Sequence, residues 1–178
     1  MNPLHNDMRI APRTRKTALT GMLGALALAL SAMEMLIPPL PMLPPGAKPG
    51  FSNLATMYAA HTVGLGPALC VALLKGLFAG LTRGVTAMLM SLAGGLVSTL
   101  IMALLLRKTP LGLVGVGVAG ALAHNLAQLA VAAVLTTPAV GGYLPWLLLF
   151  GTITGTVTGL LLRLLLPLLD RVGRRLTG

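Results

Sequence analysis

Residues 85–110 read VTAMLMSLAGGLVSTLIMALLLRKTP, and the fold is decided there. From Val85 to Leu106 no side chain carries a charge. About 20 apolar residues, rising 1.5 Å each, cross the ~30 Å hydrocarbon core of a bilayer. The run stops at Arg107-Lys108-Thr109-Pro110, a basic break of the kind that stays on the cytoplasmic side of a membrane. The stretch is a transmembrane helix with its end marked.

The same pattern repeats in both directions. Upstream, Thr82-Arg83-Gly84 separates this helix from a span over about Ala68–Leu81. Gly64-Leu65-Gly66-Pro67 turns that span back into one over about Pro49–Val63. Before it, Pro38-Pro39-Leu40-Pro41-Met42-Leu43-Pro44-Pro45-Gly46 is an apolar proline loop, because proline removes backbone donors and blocks helix. The first span covers about Thr17–Ile37. It follows a basic tail as a signal peptide's apolar run does, but it is longer, and no small-x-small cleavage site precedes Pro38. Downstream lie a fifth span, Leu111–Leu135, and a sixth, Tyr143–Leu169. The expectation is an all-α membrane protein, a bundle of about six transmembrane helices over residues 17–170, flanked by basic tails at 1–16 and 171–178. The second and third spans are shorter than a bilayer requires.

Charge fixes the direction of the chain. Arg9, Arg13, Arg15 and Lys16 precede the first span, Arg107 and Lys108 follow the fourth, and Arg171, Arg174 and Arg175 follow the sixth. Six spans put all three groups on one side, so both termini are expected in the cytoplasm of a cell (inner) membrane. The opposite loops carry only Lys48 and Arg83, each beside a helix end. The net charge of +10 is thereby explained without nucleic acid, whose readers need aromatics and a polar surface. Aromatic content is 3%, charged content 9% and mean hydropathy +0.90, which excludes a soluble domain of this length. Cys70 is the sole cysteine, so neither an intrachain disulfide nor a multi-cysteine metal site is available.

Polar side chains inside the spans are costly, at ~2.5–3.5 kcal/mol for a charge at the bilayer centre. With this topology they gather in the outer half. Glu34 falls near the outer end of the first span, Lys48, Ser52 and Asn53 at the start of the second, and Lys75 midway along the third. His124, Asn125 and Gln128 lie on the fifth, with His124 and Gln128 one turn apart on a shared face. Two readings stand for each group. His124, Asn125 and Gln128 bond neighbouring helices or bind a solute. Lys75 pairs with Glu34 or holds a solute anion. Lys48 and Arg83 read as interface anchors.

Small residues recur every fourth position: Gly21, Ala25 and Ala29; Ala68, Ala72, Gly76 and Gly80; Gly151, Gly155 and Gly159. Such ridges let helices approach closely, either within this bundle or, best for the first span, against a partner helix.

Several chemistries are excluded. There is no G-x-x-x-x-G-K-[ST] sequence, so the chain does not hydrolyse ATP alone. Gly115-Val116-Gly117-Val118-Ala119-Gly120 has dinucleotide-loop spacing but lies in a membrane helix with no preceding strand. No metal site, haem or iron–sulfur ligand set and no catalytic triad is present, and no cofactor is expected.

Five segments together carry a resemblance: Lys48-Pro49-Gly50-Phe51-Ser52-Asn53, Val71-Ala72-Leu73-Leu74-Lys75-Gly76, Ser91-Leu92-Ala93-Gly94-Gly95, Ala123-His124-Asn125-Leu126-Ala127-Gln128 and Gly151-x-x-x-Gly155-x-x-x-Gly159. They resemble the bacterial Gx transporter family, also called heptaprenyl diphosphate synthase component I, over Thr17–Leu166. That family is similar to substrate-binding S components of energy-coupling factor transporters. The resemblance implies a six-helix fold and an outer-half pocket for a vitamin-like or anionic small-molecule solute. It also implies a first-span face (Gly21, Ala25, Ala29) that docks a coupling membrane protein with ATPase subunits. Lys48, Asn53, Lys75, His124, Asn125, Gln128 and Glu34 are the expected solute ligands, under a cap formed by Pro38–Gly46. A second implied role is membrane subunit of an extracytosolic flavin or quinone redox assembly. The enzyme name has no support in the residues: prenyl synthases hold magnesium diphosphate on aspartate-rich motifs, and neither Asp7 nor Asp170 lies in one.

Overall fold

The computed structural model describes residues 12–36 and 50–177, with side chains from 13 to 36 and from 50 to 167. Lipid offers no partner for backbone N–H and C=O groups, so an apolar chain must satisfy them within helices. The described residues do so. Six α-helices follow one another: α1 (Pro12–Met33), α2 (Asn53–Thr62), α3 (Leu65–Arg83), α4 (Val85–Lys108), α5 (Leu113–Leu135) and α6 (Leu144–Thr177). Short 3-10 turns follow α1 at Glu34–Leu36 and precede α6 at Pro138–Tyr143. No strand occurs among the described residues. This is the expected all-α membrane bundle.

Five helices are long and apolar enough to cross a bilayer, and α2 is the exception. Its 10 residues rise about 15 Å, half the hydrocarbon core. It survives at that length because it lies inside protein, packed on α1, α3, α4 and α6, with Ala55, Thr56, Met57 and Ala59 fully buried. The third span, by contrast, is longer than the sequence suggested, with 19 residues from Leu65 to Arg83. Gly66-Pro67 reads as turn chemistry, yet proline in a first helical turn loses no hydrogen bond, so the helix starts before it. The helix ends where Gly84 adopts φ +88, a left-handed conformation that stops α3 and starts α4 in a single residue. At the other end of the chain, α6 runs on to Thr177, so the expected C-terminal tail is backbone-helical for most of its length. Arginines at a helix C-terminus favour that extension through the helix dipole.

Helices α3, α4, α5 and α6 pack each on the next, and small residues set their spacing. A Cβ at Gly155 would stand 2.5 Å from Val118 Cα, and one at Gly159 2.5 Å from Val114 Cα. A Cβ at Gly76 would collide with Leu92, and Gly95 faces Ala72. The ridges of α3 and α6 are therefore packing surfaces inside the bundle. The α1 ridge differs: Gly21, Ala25 and Ala29 are exposed, and nothing lies within 4 Å of a Cβ placed on Gly21. The buried stripe of α1 (Leu23, Ala27, Ser31 and Glu34) lies on the opposite side, with Leu23 and Ala27 packed on Ala55, Ala59, Ala68 and Val71.

Candidate functional site

The polar side chains converge where the ends of α1 and the start of α2 meet the middle of α3, α4 and α5. Glu34 follows the last turn of α1 and is 4% exposed. Its carboxylate accepts a hydrogen bond from the backbone N–H of Ser52 at 3.0 Å, which ties α1 to the start of α2. One residue on, Asn53 opens α2, and its Oδ1 accepts from Lys75 Nζ at 2.7 Å. Lys75 is 4% exposed, so its ammonium has left water and lipid alike for protein partners. Glu34 is within electrostatic reach of both Lys75 and Arg83.

Helix α5 closes the far side. His124 and Gln128 project together as their i, i+4 spacing requires, and both are buried. They press on α4 at Gly94, where a Cβ would stand 2.8 Å from His124 Nδ1 and 2.9 Å from Gln128 Cγ. Only glycine lets the two side chains lie this close to the α4 backbone. Nδ1 of His124 and Oε1 of Gln128 have no hydrogen-bond partner among the described residues. An orphaned buried polar atom costs about 1–3 kcal/mol, so each of these two calls for a partner.

Between these groups lies a cavity of about 20 Å³ lined by Glu34, Lys75, Arg83, Ser91, His124 and Gln128, with Ser31, Gly50 and Ser52 completing the wall. That is room for about one water molecule, so a solute enters only if the walls part. Its charges are two cations against one carboxylate. Chemically the site offers ammonium and guanidinium groups to an anion, an amide oxygen to a donor, and an imidazole to either. No cluster of three or more histidine, cysteine or acidic residues occurs among the described residues.

The structure therefore brings Glu34, Asn53, Lys75, His124 and Gln128 together, and it sends Asn125 elsewhere. Asn125 Nδ2 donates to the Leu147 carbonyl at 2.9 Å and lies against Gly151, holding α5 to α6. One residue of helical twist, 100°, separates it from His124, which is why Asn125 does not share the face of His124 and Gln128. Lys48 and the Pro38–Gly46 loop lie outside the described residues. Arg83, read from sequence as an interface anchor, stands on the cavity wall. Its position at a helix end gave no sign of this, because the second element that brings it inward, Glu34, is distant in sequence. At Lys75 the ammonium bonds Asn53, while Glu34 accepts from the Ser52 amide and lies within electrostatic reach of the lysine.

Residues 23–165 match the family model for heptaprenyl diphosphate synthase component I. The chain belongs to that family. No curated protein matches it. Among solved structures, one described as the S component of a bacterial ECF transporter superposes with a TM-score of 0.68. At 20% sequence identity it covers 93% of this chain and 99% of its own. That likeness shows that this chain shares the fold of that S component.

Proposed function

We propose that this chain is the membrane-embedded solute-binding subunit of an uptake transporter of the energy-coupling factor type, set in the cell membrane with both termini in the cytoplasm. The observation that carries the proposal is the cavity that His124 and Gln128 share with Lys75, Arg83 and Glu34, beside two buried atoms, His124 Nδ1 and Gln128 Oε1, that have no hydrogen-bond partner among the described residues. A packing interface satisfies its polar atoms, whereas a binding site leaves them for the ligand. The solute is small and anionic, with a hydrogen-bond donor for Gln128. Lys75 and Arg83 hold the anion, and Asn53 and Glu34 keep Lys75 in place.

The exposed Gly21, Ala25 and Ala29 ridge supports the second half of the proposal. It is a smooth face on which a helix of a coupling membrane protein, itself bound to ATPase subunits, can lie closely. The family's enzyme name does not describe this chain acting alone, since its two aspartates form no metal-binding motif. The test is retention of a solute by the full chain purified in mild detergent, read by native mass spectrometry. The wild type is expected to carry a stoichiometric small anion and Lys75→Gln to lose it. Equal retention by both defeats the proposal.

A further inference from the structure

Helices α1 and α6 make at most slight contact with each other; among the described elements α1 rests mainly on α2 and α3, and α6 on α5 and α2. The space between them holds two apolar cavities of about 390 and 310 Å³ that meet at Leu54 of α2. The wall from α1 follows one helical face, from Leu19 through Leu23, Leu26 and Leu30 to Glu34, a rise of roughly 22 Å. The facing wall from α6 runs from Leu165 through Leu161 to Thr158. Leu26 is 47% and Leu161 41% exposed, so the groove opens sideways, toward the lipid.

Apolar exposure says little in a membrane protein, where lipid covers it. The form of this groove says more. One end stops at Glu34, and Glu34 also lines the polar cavity. An apolar channel thus ends on the wall of a pocket holding two cations and one carboxylate. A site with a long apolar lining and a few convergent polar groups at one end selects a molecule with the same polarity profile.

Building on the proposed solute-binding role, we propose that the solute is an amphiphile with an anionic head and a long hydrocarbon tail. It is taken from the plane of the membrane: the tail lies in the α1–α6 groove, and the head passes Glu34 to reach Lys75, Arg83, His124 and Gln128. Charge complementarity argues for this occupant over a neutral helix or acyl chain, neither of which carries a group to match the net positive pocket beyond Glu34. Glu34 is the gate residue. Its carboxylate balances the two cations while the site is closed, and an anionic head takes over that role as it enters.

The test uses the full chain in phosphatidylcholine nanodiscs, with hexadecyl phosphate as the long-chain probe and methyl phosphate as the head alone. Leu26→Trp and Leu161→Trp fill the groove from exposed positions that folding tolerates, and Leu135→Trp, on α5, controls for an added indole. The expected result is hexadecyl phosphate binding weakened about tenfold or more by either groove variant and by Lys75→Gln, with methyl phosphate binding sensitive to Lys75→Gln alone. Competition with phosphatidylglycerol then names the source: displacement assigns a membrane lipid, and none assigns a single-chain solute, the amphiphile standing in both cases. Groove variants that leave hexadecyl phosphate binding intact while Lys75→Gln removes it overturn the inference and spare the solute-binding reading. Sensitivity to the groove variants without sensitivity to Lys75→Gln means an annular lipid, and the inference fails. Indifference to all three defeats both. A wild-type dimer broken by Leu26→Trp makes a second copy the occupant and also overturns it.

Discussion

A lysine at mid-membrane depth is affordable only with partners, and Lys75 has Asn53 at 2.7 Å with Glu34 in electrostatic reach. Its replacement by Gln keeps a donor on a side chain one atom shorter and removes the charge. Solute affinity is expected to fall roughly tenfold to a hundredfold, the scale of a charge-assisted hydrogen bond, with the fold retained; isothermal titration with the recovered solute measures it. Asn125 gives the opposite expectation. Asn125→Ala removes one α5–α6 hydrogen bond, worth about 0.6 kcal/mol in a membrane bundle, and leaves solute affinity unchanged in the same titration. At this scale the sequence names polar residues well and their directions poorly. Lys75, His124 and Gln128 were legible because buried polarity is expensive wherever it occurs. The turning away of Asn125 and the inward placement of Arg83 depend on neighbours far along the chain, which spacing alone does not supply.

At the scale of the helix, the small-residue ridges separate into two kinds that look alike as sequence. Gly155 faces the α5 backbone, and Gly21 faces no protein atom within 4 Å. Gly155→Val is therefore expected to destabilise the bundle by about 1–3 kcal/mol or more, seen as a lower Tm in detergent, because backbone cannot yield as a side chain can. Gly21→Val is expected to leave stability within about 0.5 kcal/mol of the wild type while reducing co-purification with the coupling protein and its ATPases. Undiminished co-purification removes the ridge from the account. Helix α2 belongs to this scale too. Its shortness was readable from the prolines before it and Gly64 after it. Its burial among four helices was not, since a 10-residue run with Asn53 and His61 carries no period that distinguishes an inner helix from a surface one.

For the molecule as a whole, five helices long and apolar enough to cross a bilayer and the half-length α2 surround the polar cavity, and the proposed orientation, in which α2 counts as a crossing, says which side of the membrane feeds it. The basic residues at the start of α1, in the last turn of α4 and along the end of α6 are expected on the cytoplasmic face. Cysteine placed at Asn2 and at Gly178 in a Cys70→Ala background should resist a membrane-impermeant maleimide in intact cells. Labelling of either end reverses the supply of solute. The central claim is that a ligand occupies the space bounded by Lys75, His124 and Gln128, and the structure of the full chain saturated with its recovered solute tests it most directly. The account requires an anionic group within hydrogen-bonding distance of Lys75 Nζ and a polar ligand atom on His124 Nδ1 or Gln128 Oε1. A solute bound elsewhere, with those two atoms still unmatched, contradicts it.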